Sequence, residues 1–371
     1  MVNGIFGALM AGTSGQLTVF NTNRNVSTQK LTNQLSAGFE KRVTEEVTNL
    51  KESYTSETNS IKREEDRILG YRKDLDASRD VISNTRKRLE GILSRLDNMI
   101  INVNKANEAE NDPEVNFLPA GYAAAHDSNL RQIDDLIKTT RTQENLLLSE
   151  SQSVRYPVSL SGITSLFYGT DLTTGYHIED SNGDFWYPDI DTQVMKKYEN
   201  YPFTEGDVSV STVYKQGLTL DNISGDNVDF TVGADSASPQ SYSGTLTRTG
   251  LEVLQSWLYD GFSNSTSRDR ALEDMNAAKE VINVELSRYS MIETTLDYYD
   301  GLSTNNLRSA RREKIEIEAE AAHAIAQKQS EMVQQFQSVQ SVLAQQLVLR
   351  SQYQSLIPTS SFGQALFSAQ V

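Results

Sequence analysis

Two apolar stripes with helical spacing lie far apart in this chain, and each needs something to cover it. In residues 61–109 the positions Ile82, Leu89, Ile92, Leu96, Met99 and Val103 recur three, four or seven residues apart, with no proline and only Gly70 and Gly91 inside. Pro113 and Pro119 break that pattern, and residues 120–150 resume it through Leu130, Ile133, Ile137 and Leu146 to Leu148. Their spacing predicts a second helix folded back on the first as an antiparallel hairpin. The other stripe comes late: Met275, Ala278, Ile282, Leu286, Tyr289, Ile292, Leu296 and Tyr299, followed by a polar joint at residues 301–306 and further helix over 307–356. One amphipathic helix leaves its stripe in water, so the N-terminal and C-terminal arms are expected to pair.

The stretch between the arms has a different character. Residues 157–262 hold 15 of the 30 aromatic residues, and 4 Lys and Arg against 15 Asp and Glu give it a net charge of −11. Alternating runs at 208–213, 218–220 and 228–232, set between Gly, Asn and Asp turn residues, predict short antiparallel strands. The expected fold is α+β: a long antiparallel helical rod, coiled-coil-like, built from the N- and C-terminal arms, with an inserted β-rich outer domain. In segments, residues 1–39 form an uncharged assembly segment, 40–156 a helical arm, 157–262 the acidic β-rich domain, 263–331 the second arm and 332–371 a second uncharged assembly segment. Both termini are then expected at one end and the acidic domain at the other.

Charge marks the ends. Residues 1–39 carry only Arg24 and Lys30, and residues 332–371 only Arg350, among many Gln, Ser, Asn and Thr. Such ends bury little by themselves, so they are expected to be ordered by copies of themselves or disordered in a lone subunit. Leu31, Leu35, Val342, Leu343, Leu347 and Leu349 are the candidate assembly positions. A charge placed there would meet other copies in a partly desolvated setting, which gives its near absence a physical reason.

Composition excludes several functions. The formal net charge of −16 argues against nucleic acid and against an anionic membrane surface, both of which need clustered Lys and Arg. Protein partners fit better. No cysteine is present, so disulfides, thiolate metal sites and Cys nucleophiles are out. No run of about 18 apolar residues exists to span a bilayer, and the opening lacks a basic region before its apolar residues, so if the protein is exported its route does not use a cleaved signal peptide.

No catalytic constellation stands out, and the chain is read as a non-enzyme without a cofactor. His126, His177 and His323 sit in unrelated contexts, and no GxSxG, P-loop or GxGxxG occurs. Asp180, Asn182 and Asp184 begin like a calcium loop, but Phe185 stands where that template wants glycine and Asp191 where it wants glutamate. An Asx-Gly turn between strands is the expected alternative, with no metal. Phe185, Trp186 and Tyr187 with Tyr198, Tyr201 and Phe203 are expected to pack inside the β domain, with a glycan-binding face as the other reading. The dense charges of residues 51–72 mark a solvated face.

Several segments carry a family likeness. Leu35, Ser36, Ala37 and Gly38 resemble the LSSG segment that joins the terminal helix of bacterial flagellins to the first helix of the rod. Residues 77–99 resemble the helix that follows in that family, and residues 271–297 a C-terminal helix shared by flagellins and hook-filament junction proteins. Residues 319–346 are similar to the closing Ala- and Gln-rich helix, including Ser-Val-Leu-Ala-Gln at 341–345. Two departures accompany the likeness: residues 40–54 replace the acidic-alanine loop, and residues 311–320 replace the Asp-Ala-Asp turn.

The resemblance implies a structural subunit of an extracellular helical filament, polymerising through its terminal helices to support bacterial motility. It also implies location in the flagellum, with copies of itself, hook-associated proteins, cap proteins and an export chaperone as partners. The missing loop leaves a hook-filament junction protein as the alternative. A secreted coiled-coil adhesin with a ligand-binding β head and an intracellular scaffold stay open as other classes.

Overall fold

Burial along the helices repeats with the seven-residue rhythm of the sequence, and it is more complete than the apolar residues alone suggest. The computed structural model describes residues 25–114, 116–138, 146–189, 194–199, 208–213 and 217–356. It divides into two compact units: residues 67–306, and residues 1–66 with 307–371. Helix α1 (Asn25–Asn111) and helix α3 (Ser265–Leu356) each contribute to both units, and α2 (Pro119–Lys138) lies in the first. Of the segments predicted at 1–39 and 332–371, residues 1–24 and 357–371 lie outside the described residues.

In residues 67–306, α1 buries Ile68, Tyr71, Leu75, Ser78, Ile82, Thr85, Leu89, Ile92, Leu96, Met99, Val103 and Ala106, an unbroken alternation of three- and four-residue steps. Ser78 and Thr85 keep that rhythm with hydroxyls because local partners satisfy them. Thr85 Oγ1 donates to Val81 O at 2.8 Å, and Ser78 Oγ lies 2.8 Å from Asp74 O and 2.9 Å from Arg155 O. Helix α3 answers with Ala271, Met275, Ala278, Ile282, Glu285, Tyr289, Ile292 and Leu296. The two run antiparallel: Arg79 pairs with Asp297 at 2.5 Å, Arg86 with Glu293 at 2.7 Å and Asp97 with Lys279 at 2.6 Å, one number rising as the other falls. Helix α2 folds back on α1 through the short link after Asn111, and Leu136 Cδ1 lies 3.1 Å from where a Cβ on Gly91 would stand. The predicted pairing of arms and the predicted hairpin are both present here.

Two expectations about helix ends are corrected. Helix α3 has no joint at residues 301–306; it runs unbroken through Gly301, where nothing lies within 4 Å of a would-be Cβ. One exposed glycine costs a helix only about 1 kcal/mol, less than the packing on either side supplies. Helix α2, in turn, ends at Lys138, so residues 146–150 do not continue it. Leu146 and Leu147 are buried in a turn instead, where their carbonyls accept Thr170 N at 2.8 Å and Leu172 N at 3.0 Å. An apolar run of that length signals burial without specifying helix.

The strands fall between α2 and α3. β1 (Ser153–Pro157) and β2 (Thr164–Tyr168) form a hairpin, and the first strand thus begins ahead of residue 157. β3 (Tyr176–Asp180), β4 (Phe185–Asp189), β5 (Val194–Tyr198), β6 (Val208–Val213), β7 (Leu218–Ser224), β8 (Asn227–Val232) and β9 (Gln240–Arg248) make one antiparallel sheet in the order β6-β5-β4-β3-β9-β8-β7. The strand runs expected at 208–213, 218–220 and 228–232 fall in β6, β7 and β8. One face is buried, with Tyr176, Ile178, Trp186, Met195, Phe230 and Leu246 in the same core as the helices. The architecture is therefore α+β, long helices with an antiparallel β domain.

The return from β9 to α3 is tightly held. A Cβ on Gly250, at φ +68°, would stand 2.0 Å from Thr173 O, so only glycine fits. A 3₁₀ segment (Ser256–Phe262) follows, with Asp260 at φ 47° and Phe262 at φ 67°. Such conformations persist only where surroundings fix them. Asp127 accepts Ser256 N at 2.8 Å and Ser256 Oγ at 2.7 Å, and His126 Nε2 lies 3.0 Å from Leu254 O. Fully buried Arg268 closes the corner: it donates to Phe262 O at 2.8 Å, to Asn107 and to Glu110, and lies over the Phe117 ring. That guanidinium ties the start of α3 to the end of α1.

In the other unit, α1 and α3 pair again with a sparser core. Val43, Val47 and Met332 are buried, Phe39 and Ile325 pack on them, and the rings of Phe39 and Phe336 lie 4.8 Å apart. Lys328 pairs with Glu46 at 3.4 Å and Arg311 with Glu65 at 3.6 Å, which sets the pairing here antiparallel as well.

Candidate functional site

The candidate assembly positions divide between two faces of α3. Leu343 and Leu347 continue the line of Met332 and Phe336 at helical spacing, and both are half-buried. Val342 and Leu349 lie about a third of a turn away; with Val339 they form a separate strip, exposed to 51 %, 53 % and 44 %. Leu35 on α1 is half-buried, and the side chain of Leu31 lies outside the described residues. The six positions are therefore not one surface. Leu343 and Leu347 follow the intramolecular seam, whereas Val339, Val342 and Leu349 present apolar area to solvent. Val339 was missed in the sequence, although its spacing of three from Val342 carries the signal.

The aromatic cluster also divides. Trp186 is fully buried, with Phe230 edge-on at 5.3 Å and its Nε1 donating to Asp180 at 2.9 Å. Strand alternation turns Phe185, Tyr187 and Tyr198 to the opposite face, with His177 beside them. There the His177 ring lies 5.6 Å from Phe185 and 5.2 Å from Tyr187, nearly parallel to the latter, and Tyr198 stands edge-on 5.9 Å from Tyr187. Burial holds His177 below the ordinary imidazole range, partly offset by the charge of Glu179, so the ring is neutral at pH 7. Tyr201 and Phe203 lie outside the described residues.

The calcium-like loop is a turn. Asp180 Oδ1 accepts Asn182 N at 2.9 Å and Asp184 N at 3.1 Å, while Oδ2 takes the Trp186 indole and faces Lys197 at 3.8 Å. Lys197 is itself buried, 2.7 Å from Asp184 and over the rings of Trp186 and Tyr242. Burial pulls its ammonium down, but the hydrogen bond and charge of Asp184, with Asp180 behind, outweigh that and hold it above the ordinary lysine range. These carboxylates are committed to a structural network, and among the described residues no group of three or more His, Asp and Glu is placed to hold a metal.

Of the three histidines, only His126 is fully buried. Its ring sits edge-on to Tyr259 at 5.7 Å and to Phe262 at 5.1 Å, its Nε2–H donates to Leu254 O, and Nδ1 has no hydrogen-bond partner. Burial lowers its pKa, with the nearby charge of Asp127 opposing. His323 is exposed.

No protein-family model and no curated protein matches this chain. Solved structures similar to this chain include flagellar junction proteins. One is the flagellar junction protein FlgL from Legionella pneumophila, 13 % identical over 65 % of this chain and 99 % of that one, with a TM-score of 0.31. Another is the flagellar hook-associated protein-3 from the same organism, 15 % identical over 73 % of this chain and 99 % of that one, TM-score 0.30. A third is FlgL from Xanthomonas campestris, 9 % identical over 71 % of this chain and 99 % of that one, TM-score 0.31.

Proposed function

We propose that this chain is a structural subunit of the bacterial flagellum, of the hook-filament junction kind, whose uncharged arm ends are covered by neighbouring subunits. One observation carries the reading. The arms pair through one face of α3, and Val339, Val342 and Leu349 remain in water on another, in a stretch whose only charge is Arg350. An apolar strip without charged residues to solvate it has its natural complement in the same strip on another copy or on a related helix. The departures at residues 40–54 and 311–320 favour the junction over the bulk filament, since both fall where ordinary filament subunits carry their characteristic loop and turn.

On this reading residues 1–39 and 332–371 are the assembly segments, 40–156 and 263–331 the arms with coiled-coil pairing, and 157–262 a solvent-facing domain. The subunit works outside the cell, and an export chaperone covers its arm ends beforehand. Beyond its own copies, hook-associated and cap proteins are its neighbours. No helix of the described residues is long and apolar enough to cross a membrane, and the role is mechanical, without catalysis. Negative-stain electron microscopy of the full chain after precipitant- or seed-induced assembly, beside a variant lacking residues 1–35 and 340–371, tests this. Rings or short tubes from the full chain and single particles from the truncated one are expected; indefinitely growing filaments would return the reading to flagellin, and single particles from both would end it.

A further inference from the structure

Lys197 carries an amine into the buried face of the sheet, and its surroundings allow more than charge neutralisation. It lies opposite Trp186 in the β4–β5 register. Its Nζ is 5.5 Å from the centre of the Trp186 ring and 5.1 Å from that of Tyr242, and Phe230 packs on those two rings at 5.3 and 5.6 Å. Into this aromatic box come two carboxylates: Asp184 Oδ2 stands 2.7 Å from the amine and Asp180 Oδ2 3.8 Å. Side-chain exposure is 10 % for Lys197, 16 % for Asp184 and 0 % for Asp180.

The turn holds these groups in place. Asp180 N donates to Asp184 O at 2.8 Å, Asp184 N donates to Asp180 Oδ1 at 3.1 Å, and the Trp186 indole donates to Asp180 Oδ2 at 2.9 Å. Burying an ion pair costs desolvation of both partners, and an amide made from that pair carries no charge into the interior. An amine and a carboxyl kept in contact also react as parts of one molecule, with translational freedom already lost.

We infer that Lys197 Nζ and Asp184 Cγ join in an isopeptide bond, with Asp180 carrying a proton between them. The ammonium gives one proton to Asp184 Oδ2 along the 2.7 Å hydrogen bond, leaving a neutral amine beside a neutral acid. Nitrogen attacks Cγ, its second proton passes through Asp180 Oδ2 to the departing hydroxyl, and the C–OH bond breaks to release water. The third proton stays on the amide nitrogen, and no electron acceptor is needed. The resting pair is ionised, but a minor neutral form suffices when water leaves a box that aromatic rings close behind it. The product ties β5, which joins the sheet through β4, to the β3–β4 turn. It is independent of how the arms assemble, so failure of either idea leaves the other standing.

Intact-protein mass spectrometry tests it, on the full chain kept folded for days and then denatured. The native chain is expected to weigh one water less than its sequence, whereas Lys197→Met and Asp184→Ala keep their full masses. Trypsin locates the bond: an acylated Lys197 is not cut, so residues 156–196 and 197–215 should appear as one branched species. A native mass equal to that of the sequence, or a water still missing from Lys197→Met, would overturn the proposal. The native chain alone decides the first point, so a variant that misfolds does not blunt the test.

Discussion

The two compact units solve the same pairing problem with unequal means. In residues 67–306 the helices bury a position at every three- or four-residue step, and a hairpin, a sheet and buried Arg268 are tied to them. In the unit of residues 1–66 and 307–371 the same helices form a small separate core of Val43, Val47 and Met332 and expose apolar side chains such as Val342 and Leu349. The first unit satisfies its apolar surface internally. The second leaves part of that surface in water, and beyond residue 331 only Arg350 is charged. On the proposed reading, stability inside a subunit and adhesion between subunits are drawn from one helix pair.

The sharpest break in this comparison is expected at Arg268. Arg268→Met removes the donor to Phe262 O and leaves Glu110 and Asn107 without it, so the unit of residues 67–306 should lose about 3–5 kcal/mol, measured by urea unfolding. A change under about 0.5 kcal/mol would show that the corner is held without it. Next comes Leu89→Ala in the buried α1 seam, expected to cost 2–5 kcal/mol, roughly the range for a core leucine. Met332→Ala, in the sparser unit, should cost about 2 kcal/mol, the low end of that range, because its small core relaxes more readily. Hydrogen exchange read separately over residues 25–66 and 67–111 would locate each loss. Equal costs at Leu89 and Met332 would erase the contrast.

Acid offers a gentler probe of the held corner. The folded pKa of His126 lies below the ordinary 6.5 because of burial, so on acidification the unfolded chain takes up its proton first. Its contribution to stability is intact above about pH 6.5 and declines as pH falls below that value. Melting temperature should therefore drop between pH 7 and pH 5 more in the native chain than in His126→Gln, which keeps a donor for Leu254 O without titrating. Parallel drops in both would assign the acid sensitivity elsewhere.

Much of this was legible in sequence, for reasons that differ by element. The helices announced themselves because Leu89, Ile92, Leu96 and Met99 repeat with the period of the structure that buries them. Ser78, Thr85 and Glu285 occupy the same seams unseen, since their polar groups are satisfied by partners, Val81 O for Thr85 and Arg288 for Glu285 on the same helix and Arg155 O for Ser78 across the fold. Leu146 and Leu147 misled because apolarity reports burial and not conformation. The division of Phe185, Trp186 and Tyr187 between two faces follows from strand alternation, yet it could be assigned only once the neighbours of Trp186 were known. Gly301 read as a joint because a lone glycine near polar residues looks like a break, whereas packing carries the helix across it.

The exposed strip on α3 is where the account is most open to direct test. Val342→Asp with Leu349→Asp changes two side chains that already face water, so helicity and melting temperature should match the native chain to within about 0.5 kcal/mol in stability. Under conditions in which the native chain forms rings or tubes, negative-stain microscopy of this double variant should show single particles alone. Assemblies as abundant as those of the native chain would contradict the claim that this strip exists to be covered by another subunit.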